Sequence, residues 1–147
     1  MAATLRLDDQ LCFALHAASR AMTAVYQPLL EALDITYPQY LVLLVLWEED
    51  GARVSRLGER LQLDSATLTP LLKRLAVRGL VERRRSQADE RVVELFLTSE
   101  GKRLKRRAAN IPAELFCKLE LGAAELIELR DTLSALTRTM RDGKAGG

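Results

Sequence analysis

The sequence has few of the side chains from which catalytic and metal centres are built. Its 147 residues include one histidine, His16, and two cysteines, Cys12 and Cys117. One imidazole and two separated thiols form no metal-ligand cluster. There is no CxxC pair for dithiol chemistry and no peroxidase motif or recycling unit. The chain is therefore read as a non-enzyme with no metal and no cofactor. Long apolar runs are missing as well. The longest, Tyr40 to Trp47, falls far short of the ~18 residues a membrane span needs. The N-terminal MAATLRLDDQ lacks the basic region and apolar core of a signal peptide. Repeats and low-complexity segments are absent, and only the closing GKAGG reads as a frayed end. These absences point to a cytoplasmic chain with no membrane partner, whose thiols are normally reduced. Its length suits one domain with a real core.

The net charge of +2 conceals a division along the chain. Residues 1–50 carry Arg6 and Arg20 against seven acids. Residues 51–107 carry fifteen lysines and arginines against seven acids, a surplus of eight. Residues 108–147 carry five against six. A surplus gathered on one stretch is the footprint expected of phosphate binding. The competing reading is an ordinary solvated surface rich in arginine.

Hydrophobic spacing divides the chain into elements. Residues 8–33 read as a long helix started by Asp8 or Asp9. Its Leu11, Leu15, Ala18, Met22, Val25 and Leu29 recur in steps of four and three. Pro38 suits the first turn of a second helix, which ends near Glu49 before Gly51. That helix is apolar nearly all round and so must be a buried post. Ser55 is placed to cap a short third helix, with Leu57 and Leu61 facing inward. A turn at Gln62-Leu63-Asp64 leads to a fourth helix, capped by Asp64 and stapled by Leu63 against Leu68. Leu68, Leu71, Leu72 and Leu75 form one stripe. Gly79 ends this helix, and Pro70 sits awkwardly inside it. Val81–Arg85 and Arg91–Leu97 read as two strands around a turn at 86–90. Thr98 is placed to cap a fifth helix, basic through Lys102, Arg103, Lys105, Arg106 and Arg107, which Pro112 interrupts or kinks. A last helix from about Ala123 to Met140 carries a second seam, Leu126, Leu129, Leu133, Leu136 and Met140.

The fold class expected is mainly α with a small β-hairpin wing, a winged helix-turn-helix with N- and C-terminal dimerisation helices. The organisation expected is a single domain over 1–147. Its DNA-binding unit spans 37–107, and dimerisation helices occupy 1–36 and 108–142. One copy would struggle to cover both terminal seams, and packing against a second copy buries them. The alternative is that the two terminal helices pack on each other within one chain. A homodimer also presents two recognition helices to successive major grooves of a palindromic duplex.

With the leucine stripe inward, the fourth helix offers Ser65, Ala66, Thr67, Thr69, Lys73 and Arg74 outward. Small hydroxyls and methyls allow close approach to base edges, and Lys73 and Arg74 suit phosphates. The hairpin adds Arg84, Arg85 and Arg91, and an arginine on a narrow loop can enter a minor groove. Asp89, two residues before Arg91, is placed to hold its guanidinium. A plain turn salt bridge is compatible with the same spacing.

The run DSATLTPLLKRL, then GLV, then ADERVVELFLTSEG, resembles the MarR family of winged-helix repressors. Asp-x-Arg before the second wing strand and Leu-Thr-x-x-Gly after it belong to that family's signature. By position alone a free cytosolic thiol reads as a small core residue. The segments DQLCFAL and ITYPQYLVLLVLWE, however, resemble the organic hydroperoxide regulators within the family. That resemblance makes Cys12 the peroxide sensor and Tyr26 and Tyr37 its phenol partners, contributed across the dimer. It makes Cys117 the resolving thiol of the two-cysteine type. His16 stands where some members carry a third tyrosine. The mechanism so implied is a repressor bound to operator DNA when reduced. An organic hydroperoxide oxidises Cys12 to a sulfenic acid, Cys117 of the other subunit closes a disulfide, and the DNA is released. The alternative is a regulator released by an apolar or phenolic ligand, its cysteines incidental.

Overall fold

A computed structural model describes residues 4–145. A 3-10 turn at Leu7–Asp9 precedes α1 (Leu11–Glu31), α2 (Tyr37–Glu48), α3 (Val54–Leu61) and α4 (Ser65–Val77). Strands β1 (Val81–Arg85) and β2 (Val93–Leu97) follow, then α5 (Ser99–Ala108), α6 (Ile111–Leu119) and α7 (Ala123–Ala145). The chain divides into two compact units, one through Ile111 and one from Pro112 onward.

The first unit is built around α2. Thr36 caps it by accepting the N–H of Gln39, while the Gln39 side chain accepts the N–H of Thr36. This reciprocal box satisfies two donors that a helix start would otherwise leave open. Pro38 occupies the first turn, as its spacing requires. Tyr40, Val42, Leu43, Val45 and Leu46 are buried, so α2 is the post around which the core forms. Fully burying each such aliphatic side chain contributes about 1.5–3 kcal/mol. Leu57 of α3, Leu68, Leu71, Leu72 and Leu75 of α4, and Leu95 of β2 complete the same core.

The helix-turn-helix follows the sequence spacing. Gln62 turns the chain in the left-handed region, with φ 58°. Asp64 accepts the N–H of Thr67 at 2.7 Å and starts α4. Pro70 stays within the helix on an exposed face. Gly79, with φ 83°, ends the turn beyond α4, a conformation that costs a glycine little. The wing pairs Val81 with Leu97 and Arg85 with Val93. At its base the Asp50 carboxylate accepts the N–H of Leu97 at 2.8 Å, and the N–H of Leu95 donates to the Ala52 carbonyl at 2.9 Å. Thr98 caps α5 through the N–H of Gly101.

Several boundaries differ from the sequence reading, for local reasons. Asp8 and Asp9 do not cap α1, because they lie inside the 3-10 turn. Gln10 takes the cap position without a side-chain cap bond. Ser55 does not cap α3, which Arg53 precedes in extended conformation; a β-bridge between Arg53 and Glu94 holds that geometry. β2 begins at Val93 rather than Arg91, because Val92 closes the hairpin turn onto Asp89 and Ser86. Pro112 does not kink α5. It is the second residue of α6, where a missing N–H matters little. α7 continues to Ala145, into the tail expected to fray, while Gly146 and Gly147 lie outside the described residues.

Candidate nucleic-acid interface and thiol site

The burial of the leucine stripe dictates what α4 shows to solvent. Ser65, Ala66, Thr67, Lys73 and Arg74 are exposed, and Thr69 is half-buried. The Asp64 cap holds the first turn in place. The backbone N–H of Thr67, followed by its side chain, keeps the Asp64 carboxyl below the usual carboxylate range. The hydroxyls gather at the positive end of the helix, where close approach of an acceptor-rich surface is favoured.

The hairpin arginines are held in different ways. Arg91 reaches solvent with its side chain 91% exposed. Its own N–H and its Nε donate to Asp89 Oδ1 at 3.0 and 3.2 Å. The backbone bond, then the guanidinium, hold the Asp89 carboxyl down. Arg85 donates to the Glu90 carbonyl at 2.9 Å and so braces the tip. Arg84 is engaged on the wing itself, its guanidinium 4.5 Å from the Phe96 ring and 2.9 Å from Glu82. Asp50, which anchors β2, was not singled out in the sequence. Its only local signal is an acid before Gly51, because the strand it ties lies 47 residues away.

Both thiols are free and exposed. Cys12 is the second residue of α1. Tyr26 lies fourteen residues further on, about 21 Å along the helix axis at the ordinary helical rise. The Tyr26 ring lies 5.1 Å from Tyr37 and 5.6 Å from Tyr40. Burial, then the neighbouring Tyr40 and Tyr37, push the Tyr26 phenol up to about 12. At neutral pH the Tyr26 phenol is thus an uncharged O–H donor. Within one chain it sits at the opposite end of α1 from the thiol. Among the described residues the α1 seam is mostly uncovered: Leu11 is 61% exposed and no member is buried, although Leu29 at the far end packs against the core. The same holds for α7, where Leu129 and Met140 are exposed.

The pattern of the family Transcriptional regulator SarA/Rot matches residues 24–108. The chain is 47% identical to the organic hydroperoxide resistance transcriptional regulator of Bacillus subtilis over 136 residues, 92% of each chain. It is 56% identical over 130 residues to the regulator TtmR of Methylorubrum extorquens, covering 88% of this chain and 67% of that one. Among solved structures, reduced AbfR bound to DNA superposes with a TM-score of 0.81 at 36% identity, over 94% of both chains. A mutant MarR from Escherichia coli complexed with operator DNA superposes with a TM-score of 0.78 at 27% identity, over 86% of this chain and 92% of that one. The chain belongs to the MarR family of winged-helix transcriptional regulators. The cationic surplus of this MarR chain lies over residues 51–107, from α3 through most of α5, and α1 and α7 flank that stretch in sequence. Among the described residues no helix of this MarR chain is long and apolar enough to cross a membrane.

Proposed function

We propose that this chain is a redox-sensing transcriptional repressor that binds a palindromic operator as a homodimer. The helices over 1–36 and 108–142 form the dimer, and 37–107 reads the DNA. Ser65, Ala66, Thr67 and Thr69 face base edges, and Lys73 and Arg74 take phosphates. Arg85 and Arg91, with Asp89 positioning the latter, enter the adjoining groove, and Arg84 stiffens the wing behind them. The inducer is an organic hydroperoxide. The Cys12 thiolate attacks its outer oxygen, so the thiol becomes a sulfenic acid and the peroxide leaves as an alcohol. The thiol of the partner's Cys117 then displaces water from that sulfenic acid, and a disulfide joins the subunits.

One observation carries this reading. An exposed thiol stands at one end of α1 and a cluster of phenols near the other. Two copies of α1 packed antiparallel across a two-fold axis bring each Cys12 to the partner's Tyr26 and Tyr37. A phenol O–H donated to sulfur favours the thiolate, the reactive form. The name of the Bacillus subtilis relative supports the same inducer class. Loss of operator binding on treatment with cumene hydroperoxide, restored by thiol reductant, is the expected result. The Cys12→Ser protein should bind DNA and stay bound. Release of that variant by hydroperoxide would overturn the assignment. Release of the wild type by a phenolic ligand alone would favour a ligand-gated regulator.

A further inference from the structure

Four segments meet at Arg78. It is the C-cap residue of α4, immediately before Gly79 redirects the chain into β1. Its Nε lies 3.0 Å from Asp34 Oδ2 and 3.3 Å from the Asp34 carbonyl, and its Nη1 lies 3.2 Å from Glu100 Oε1 in the first turn of α5. Asp34 belongs to the bend between α1 and α2 and has φ 55°. That region is costly for a side chain, although aspartate tolerates it better than most. Arg107 of α5 donates to the Ala32 carbonyl at 3.1 Å in the same bend, and Leu33 and Ile35 are buried on either side of Asp34. On the other flank, Thr98 donates its N–H to the Leu80 carbonyl and its hydroxyl to the Gly79 carbonyl. Gly101 meets the Leu80 carbonyl with no room for a Cβ. The ends of α1 and α4 and the starts of the wing and α5 therefore form one joint.

We propose that Arg78 is a positioning residue of the switch, carrying displacement of α1 into the recognition helix and wing. The inference rests on Cys12 of α1 being the sensor. A slack bend would absorb a shift of α1 in its own dihedral angles and leave α4 where it was. With the guanidinium seated on the bend and on α5 together, a shift of α1 must either carry the end of α4 along or pull these contacts apart. Arginine suits the task because its planar fork holds acceptors on two elements at once, which a lysine ammonium does not. A partly exposed ion pair adds little to stability. Its value here is in coupling two sites through one element that both bias.

The test uses the full-length protein, with operator affinity measured before and after cumene hydroperoxide and the oxidation state read by intact mass. Arg78→Met should bind DNA when reduced within about threefold of wild type and should reach the same oxidised species. Its loss of affinity on oxidation should shrink by about fivefold or more, with Arg78→Lys in between. Asp34→Asn with Glu100→Gln weakens the same joint from the other side and leaves Arg78 in place. It should behave alike, and it covers the case of a poorly folded Arg78→Met. A wild-type loss of affinity in the folded variant, at complete oxidation, overturns the role of Arg78 and leaves the sensor intact. Poor binding by the reduced variant assigns Arg78 to the reading surface and overturns it too. A wild-type protein that oxidises at Cys12 and keeps its operator overturns both proposals.

Discussion

At the scale of single residues, environment separates side chains of the same kind. Tyr26 and Arg91 illustrate two extremes. Burial raises the Tyr26 phenol from 10.0 to about 12, so the folded chain keeps its proton where an unfolded chain loses it. Stability from this group is therefore whole below about pH 10 and falls as pH rises toward 12. Denaturant unfolding across that window should show a shallower alkaline decline in Tyr26→Phe than in wild type. An identical slope would mean that the phenol is already solvated. Arg91 is nearly fully exposed and is paired only within its own turn. Arg91→Ala should therefore leave the melting temperature unchanged and weaken operator binding. Asp89→Ala should weaken it in the same direction, since the guanidinium loses its support. Equal operator affinity for both variants and wild type, measured by fluorescence anisotropy, would remove the wing tip from the interface.

At the scale of elements, the amphipathic stripe of α4 is what leaves its polar residues facing solvent. Leu72→Ala removes a side chain that is 1% exposed and should cost about 2–5 kcal/mol, seen as a lower denaturation midpoint. Operator binding should fall with the folded fraction rather than independently of it. This stripe was fully legible in the sequence, because Leu68, Leu71, Leu72 and Leu75 repeat at the helical period and the Asp64 cap lies directly before them. The Thr36–Gln39 box is equally local, but the sequence reading rested on Pro38 at that helix start and passed over it. The false cap at Ser55 shows the limit of such reasoning. A serine at the right distance is overruled by a strand pairing of Arg53 with Glu94, 41 residues away. The joint at Arg78 was illegible for the same reason, since its partners come from 44 residues before it and 22 after it.

At the scale of the whole molecule, the uncovered seams of α1 and α7 and the localised cationic surplus lead to measurable behaviour. The protein should sediment as a dimer, and operator affinity should fall steeply with salt as phosphate contacts release counterions. A salt-insensitive monomer would exclude the dimeric operator complex. Hydroperoxide should convert the wild type to a species that runs as a covalent dimer on a non-reducing gel, and reductant should reverse it. Cys117→Ser should stall at the sulfenic acid and proceed to irreversible oxidation under excess peroxide. A covalent dimer formed by Cys117→Ser would remove that thiol from the bond. In the sequence, the family resemblance rather than residue spacing pairs Cys12 with Tyr26 and Tyr37 across a dimer; within one chain the thiol and the phenols stand toward opposite ends of α1. One further feature gives the chain an optical property of its own. Its single tryptophan, Trp47, stands edge-on to Tyr40 at 6.5 Å, donates its indole N–H to the Gly101 carbonyl, and ends a row that holds all three tyrosines. Light absorbed by any of those phenols is transferred to Trp47, so the native emission spectrum reports events at Tyr26 and Tyr37 without an attached dye.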